Sequence, residues 1–157
     1  WEEYLGMLGK KARHEIRRKL RRAEAAGPVR FRELPLTSAS ADAFIALHQA
    51  RWGAQGLFPD TADGERGRRF LHRLTELESM EGTDAQLVLG EVAVGDRVVF
   101  ATVAFDDGAT CYFYNAGMDP AAREFSPGRT RTAAYLRDRM AAGRNRFAPL
   151  RGAEPHQ

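Results

Sequence analysis

A single cysteine, Cys111, is the only thiol in this chain of 157 residues. One thiol cannot close an internal disulfide. Its position in an apolar segment reads as a buried group in a reducing compartment rather than as a nucleophile. Histidine is scarce as well: His14, His48, His72 and His156 are scattered, and with Cys111 they form no recognised ligand spacing, which speaks against a zinc enzyme or any other metal site. Long apolar runs are also missing. The longest, around Val98 to Phe105, is broken by Thr102 and is far shorter than a bilayer is thick. The amino terminus, Trp1-Glu2-Glu3-Tyr4, is acidic and leads into an amphipathic stretch, unlike a secretory signal. No repeat, low-complexity tract or internal linker is visible. The expectation is one soluble, cytoplasmic domain over 1–157 with no membrane partner. The absence of an initial methionine and the abrupt end after Glu154-Pro155-His156-Gln157 suggest a piece of a longer polypeptide.

What is present is charge, and it is unevenly placed. The net charge is +3, yet residues 10–22 hold eight Lys or Arg against the single Glu15, leaving 16 basic and 20 acidic residues elsewhere. That run is either a solvated helix face or a surface for a phosphate backbone. No aromatic residue interleaves it, which argues against base stacking.

The apolar residues Leu5, Leu8, Ala12, Ile16, Leu20 and Ala23 recur every three or four positions and predict one helix over 4–26, stopped by Gly27-Pro28. With its flanks, 1–27 forms a basic amino-terminal helix and 28–157 an α/β core. Alternation over Val29–Leu34 predicts a strand. A helix capped by Ser40 or Asp42 carries Phe44, Leu47, His48, Arg51 and Trp52, and Gly53 and Gly56 end it. Residues 57–64 read as a loop, and a third helix carries Phe70, Leu71, Leu74 and Leu77 to about Gly82. Two extended runs, 86–94 and 97–105, flank Gly95-Asp96, a tight hairpin signal. A further strand covers 110–116, followed by a loop around Gly117-Met118-Asp119-Pro120, a helix from Pro127 to about Gly143, and a short strand at 147–150.

Ser126-Pro127-Gly128-Arg129-Thr130 begins the last helix. A serine cap with proline at the first helical position leaves free N–H groups facing outward, which suit an anion; an ordinary helix cap is the alternative.

Four stretches, in order across almost the whole chain, resemble the GNAT superfamily of N-acetyltransferases, and within it the cellulose-biosynthesis and exopolysaccharide-associated group. They are Lys11-Ala12-Arg13-His14-Glu15-Ile16-Arg17-Arg18 with Arg21-Arg22-Ala23-Glu24; Leu47-His48 with Arg51-Trp52 and Gly56; Tyr114 with Gly117, Asp119-Pro120 and Ser126-Pro127-Gly128; and Leu150-Arg151-Gly152 with Glu154-Pro155. The resemblance implies a mixed, largely antiparallel sheet flanked by helices, with the closing strands beyond this segment. It also implies acyl-coenzyme A, acetyl-CoA above all, lying where two strands splay apart. Here the splayed pair would be 110–116 and 147–150. Tyr114 and Asn115 would line the wedge, and Ser126, Pro127, Gly128, Arg129 and Thr130 would meet the pyrophosphate.

The resemblance further suggests His48 as general base, Tyr114 as the acid that returns a proton to the thiolate, and Asp119 as a further acid or base. Arg51, Trp52 and Glu154 are the candidate acceptor contacts. Each has a plainer structural alternative: a packed helix histidine, a core tyrosine, a turn aspartate. The expected reaction is N-acylation of an amine, for example an amino sugar in polysaccharide biosynthesis. A peptidoglycan-bridge type of transfer from aminoacyl-tRNA and a non-catalytic lobe paired with a second GNAT-like lobe are the alternatives.

Overall fold

The computed structural model describes residues 1–80, 86–125, 127–144 and 146–149; the side chains of 127–129, 131 and 149 are outside the described set. Ser126, Glu154 and the rest of 150–157 also lie outside the described residues, as does the expected helix end at Gly82.

In chain order the elements are α1 (Glu2–Met7), α2 (Lys10–Glu24), β1 (Val29–Glu33), α3 (Ser38–Trp52), α4 (Ala62–Met80), β2 (Gln86–Val94), β3 (Arg97–Asp106), β4 (Thr110–Met118), α5 (Pro127–Ala141) and β5 (Arg146–Pro149). Short 3-10 turns occupy Gly53–Gln55 and Pro120–Phe125. The sheet order is β1-β2-β3-β4-β5. The first four strands are antiparallel and β5 is parallel to β4, so the chain forms an α/β fold with a mixed, largely antiparallel sheet.

Strand periodicity decides which residues meet which helices. Leu87, Leu89, Ala101 and Val103 pack with Ala41, Phe44 and Ile45 of α3, Leu71 of α4 and Phe58 between them. The opposite sheet face offers Val92, Val94 and Phe100 to Leu20 and Ala23 of α2 and to Ala133 and Ala134 of α5. A smaller cluster continues this layer with Val88, Ala104, Cys111 and Tyr135. The crossover β4-α5-β5 is the connection that parallel neighbours need. Because α5 runs back along β4, its last turns lie near the start of that strand: Arg139 bonds Asp106, whose register partner is Cys111. Its first turn therefore lies toward the end of β4.

Four local expectations are corrected. The helix expected over 4–26 breaks at Leu8-Gly9, where Leu8 is extended (φ −81°, ψ 147°) and Gly9 caps α2. Gly6 and Gly9 weaken a continuous helix there. The break also buries Leu5 completely and stacks Trp1 on Tyr4 at 5.6 Å. The cap of α3 is Thr37, whose side chain accepts from the Ser40 N–H at 3.3 Å; Ser40 and Asp42 are already inside the helix. α4 begins within the stretch read as a loop, because Thr61 Oγ1 accepts from the Gly64 N–H at 3.3 Å and caps it. β4 runs on to Met118, through the glycine expected in a loop.

Candidate functional site

The site grows from an irregularity in β4. Val103 stands opposite Asn115 and Ala104 opposite Phe113, so Tyr114 is the extra residue of a β-bulge. Bulges re-aim side chains and end pairing. Here Tyr114 leans edge-on against Phe105, with ring centroids 6.4 Å apart, and stays 37% exposed. Among the described residues β5 pairs with β4 from Thr110 to Phe113, directly before the bulge. Beyond it α3 comes close. The Trp52 Nε1–H donates to the Ala116 carbonyl at 3.1 Å, and Gly117 lies directly under the backbone of Leu47 and His48.

His48 is 1% exposed, with its ring against Phe44, Phe58 and Trp52 at centroid distances of 5.6, 5.2 and 6.3 Å. It nevertheless lines a pocket of about 120 Å³ shared with Trp52, Gln55, Gly56, Leu57 and Asn115. A Cβ on Gly56 would stand 2.6 Å from His48 Cε1 and 2.9 Å from Nδ1, so only glycine leaves room for the imidazole at this wall. Asn115 Oδ1 accepts from the Ala116 N–H at 2.7 Å. The pocket thus combines an imidazole, two amide side chains and an indole N–H at the edge of β4.

Other expected site residues stand apart from this group. Asp119 accepts from Arg97 at 2.7 Å and from the Ala121 N–H at 2.8 Å, and the guanidinium holds its carboxyl below the usual carboxylate range. It is kept as an anion and is poorly matched to proton exchange at neutral pH. The Arg51 guanidinium lies over the Trp52 ring, 4.7 Å from its centroid, and braces the indole. α5 begins at Pro127, and Thr130 is buried with its hydroxyl donating to the Phe125 carbonyl at 2.8 Å, which fixes the first turn. The N–H groups of that turn, starting at Gly128 because proline has none, are those left without intrahelical partners.

Residues 10–157 match the family model described as an acetyltransferase (GNAT) domain. The chain belongs to the GNAT family. No match was found among curated proteins. A solved structure described as a conserved protein of unknown function from Bacteroides thetaiotaomicron VPI-5482 is similar at 17% identity with a TM-score of 0.47, over 84% of this chain and 43% of its own length. The GNAT chain thus spans less than half of that protein.

The GNAT domain also holds site and cavity residues that sequence reasoning missed. Gln55 and Leu57 complete the His48 pocket, and no motif marks them. At the other end of β4, Glu33, Gln86, Asp106, Asp107, Arg139 and Arg144 line a cavity of about 360 Å³. Arg139, 3% exposed, pairs with Asp106 and Glu33, while Arg144 Nε donates to Asp106 at 2.6 Å. Beside them the Cys111 sulfur lies 2.7 Å from the Tyr135 hydroxyl, and burial pushes both the thiol and the phenol up. These charges answer one another and tie α5 to the sheet. Among the described residues no group of three His, Cys, Asp or Glu is placed to hold a metal ion, and no helix is long and apolar enough to cross a membrane.

Proposed function

We propose that this GNAT domain transfers an acyl group, acetyl in the first instance, from acyl-coenzyme A to an amine, with an amino sugar used in polysaccharide assembly as the acceptor class. The observation that carries the proposal is the Tyr114 bulge in β4 beside the His48 pocket, in a chain of the GNAT family. Backbone groups that the bulge takes out of the β3–β4 ladder are offered to an extended amide-containing ligand, while the start of α5 offers N–H groups to a pyrophosphate.

The coenzyme supplies an activated thioester; the protein has only to orient, deprotonate and stabilise. The His48 imidazole takes the proton from the acceptor ammonium, because a neutral amine is the attacking species. Trp52, Arg51 and Gln55 shape the acceptor side. The Ala116 N–H, once it is released from the Asn115 side chain, stabilises the oxyanion, and the Tyr114 hydroxyl returns a proton to the thiolate. Asp119 serves as the anchor of Arg97. No covalent enzyme intermediate is needed, in keeping with the buried, hydrogen-bonded Cys111.

Calorimetric titration with acetyl-CoA tests the coenzyme part. Binding is expected, and Gly128→Val should weaken it at least about tenfold by obstructing the helix start. An unchanged dissociation constant would remove the pyrophosphate from α5. Thiol release from acetyl-CoA with glucosamine against simple alkyl amines tests the acceptor. His48→Gln should flatten the rise of kcat/KM with pH while the affinity for acetyl-CoA is retained.

A further inference from the structure

α2 carries a charged surface that acyl transfer does not use. Around its axis Ile16, Leu20 and Ala23 turn toward the core formed with α5, whereas Lys10, Lys11, His14, Arg17, Arg18, Arg21 and Arg22 are all exposed. At 1.5 Å per residue the cations from Lys10 to Arg22 form a ridge about 18 Å long. Little among the described residues neutralises them. Arg17 meets Glu2 at 2.5 Å, but among the described residues Lys10, Lys11, Arg18, Arg21 and Arg22 have no ion pair. The remainder of the chain is net acidic, so a polyanion is attracted to this ridge and repelled elsewhere.

We propose that the exposed face of α2 docks the phosphate backbone of a double-helical nucleic acid, without reading its sequence. Three observations select this occupant. The ridge is convex and narrow, the shape that fits a groove bordered by phosphates. Arginines dominate it, and their planar guanidinium groups suit phosphodiester oxygens. It contains no aromatic residue, so it lacks the stacking platform that single strands use. A membrane surface fits less well, because an interfacial helix buries its apolar side in lipid, and here that side is already covered by α5. α2 and α5 share the sheet face opposite α3, so a docked duplex leaves the His48 pocket open. The docking is independent of acyl-CoA: loss of acetyl-CoA binding would leave it standing.

The test is fluorescence anisotropy of labelled 20-base-pair RNA and DNA duplexes between 50 and 200 mM KCl. About five phosphates neutralised predict a slope of log K against log salt near −4.5, hence a loss of roughly 500-fold over that range. The variant Lys11→Gln, Arg18→Gln, Arg22→Gln, which removes three unpaired exposed cations along one line, should reduce the slope by about three units. The charge-preserving variant Lys11→Arg, Arg18→Lys, Arg22→Lys should keep it, which separates charge from helix damage. Equal response of RNA and DNA is expected for a backbone contact. Failure of the wild-type protein to bind either duplex overturns the proposal, as does a slope unmoved by the glutamine variant. Binding to phosphatidylserine vesicles in place of duplex also overturns it and assigns the ridge to a lipid surface.

Discussion

Replacing Gly117 by alanine places a methyl group inside helix α3. The new Cβ would lie 2.5 Å from the carbonyl carbon of Leu47 and 2.7 Å from the Cα of His48, with the His48 nitrogen closer still. Ordinary van der Waals separations are about 3.5 to 4.0 Å, so backbone must retreat by about 1 Å. These neighbours are main-chain atoms of a helix packed on β3 and β4; rotating a side chain cannot relieve the clash. Overpacking of this kind costs about 1 to 3 kcal/mol, and a backbone collision belongs at the upper end, about 3 kcal/mol. In a domain of this size that is a fall in Tm of roughly 6 to 12 °C. Because the displaced helix carries His48 and Trp52, kcat/KM should drop further than stability alone explains. Urea unfolding and thermal melts check the first part, with Gly6→Ala as control, since a Cβ at Gly6 meets nothing within 4 Å. A Gly117→Ala protein destabilised by less than about 1 kcal/mol would show that α3 does not press on β4 at this point.

Asp106→Ala leaves the buried Arg139 with Glu33 alone and should cost about 3 kcal/mol in urea unfolding, as breaking a buried pair does; a loss under about 1 kcal/mol would mean the pair is well hydrated. Asp119 titrates below its ordinary value of 3.8 because Arg97 favours the carboxylate, so its contribution is fully present above that pH and disappears as the pH falls through the lowered value. The wild-type advantage over Asp119→Asn should therefore be constant from about pH 5 to 7 and shrink as the pH falls below 3.8; a constant difference throughout would refute the pairing. Cys111, fully buried with its thiol pushed up, should react with a disulfide reagent at pH 8 only as fast as the protein unfolds, and reaction at the rate of free cysteine would contradict its burial.

Much of the fold was legible because its signals are local. The two extended apolar runs 86–94 and 97–105 with Gly95-Asp96 between them could form little but a hairpin, and Gly95 takes the positive φ of 58° that such a turn needs. His48 and Trp52 at a spacing of four residues had to share a helix side. What stayed hidden depends on distance or on register. A bulge at Tyr114 changes pairing without changing composition, so the strand looked regular. The bond from Trp52 to the Ala116 carbonyl joins residues 64 positions apart, and Arg139 reaches Asp106 across 33. The break at Leu8-Gly9 was masked because the apolar spacing runs through it unaltered, while the backbone preference of two glycines does not.

The hydrogen bond between Trp52 and β4 has an optical consequence. The chain contains two tryptophans, Trp1, packed against the cluster of α2 and α5, and Trp52, on α3 at the other face of the sheet. A Trp1→Phe protein would keep one fluorophore, with its indole N–H fixed to a strand carbonyl and its ring beneath Arg51. Any molecule that competes for that carbonyl alters the dipoles around the ring and hence the colour of its emission. The occupancy of the site beside this strand can then be followed in real time, without a label, from the protein's own light.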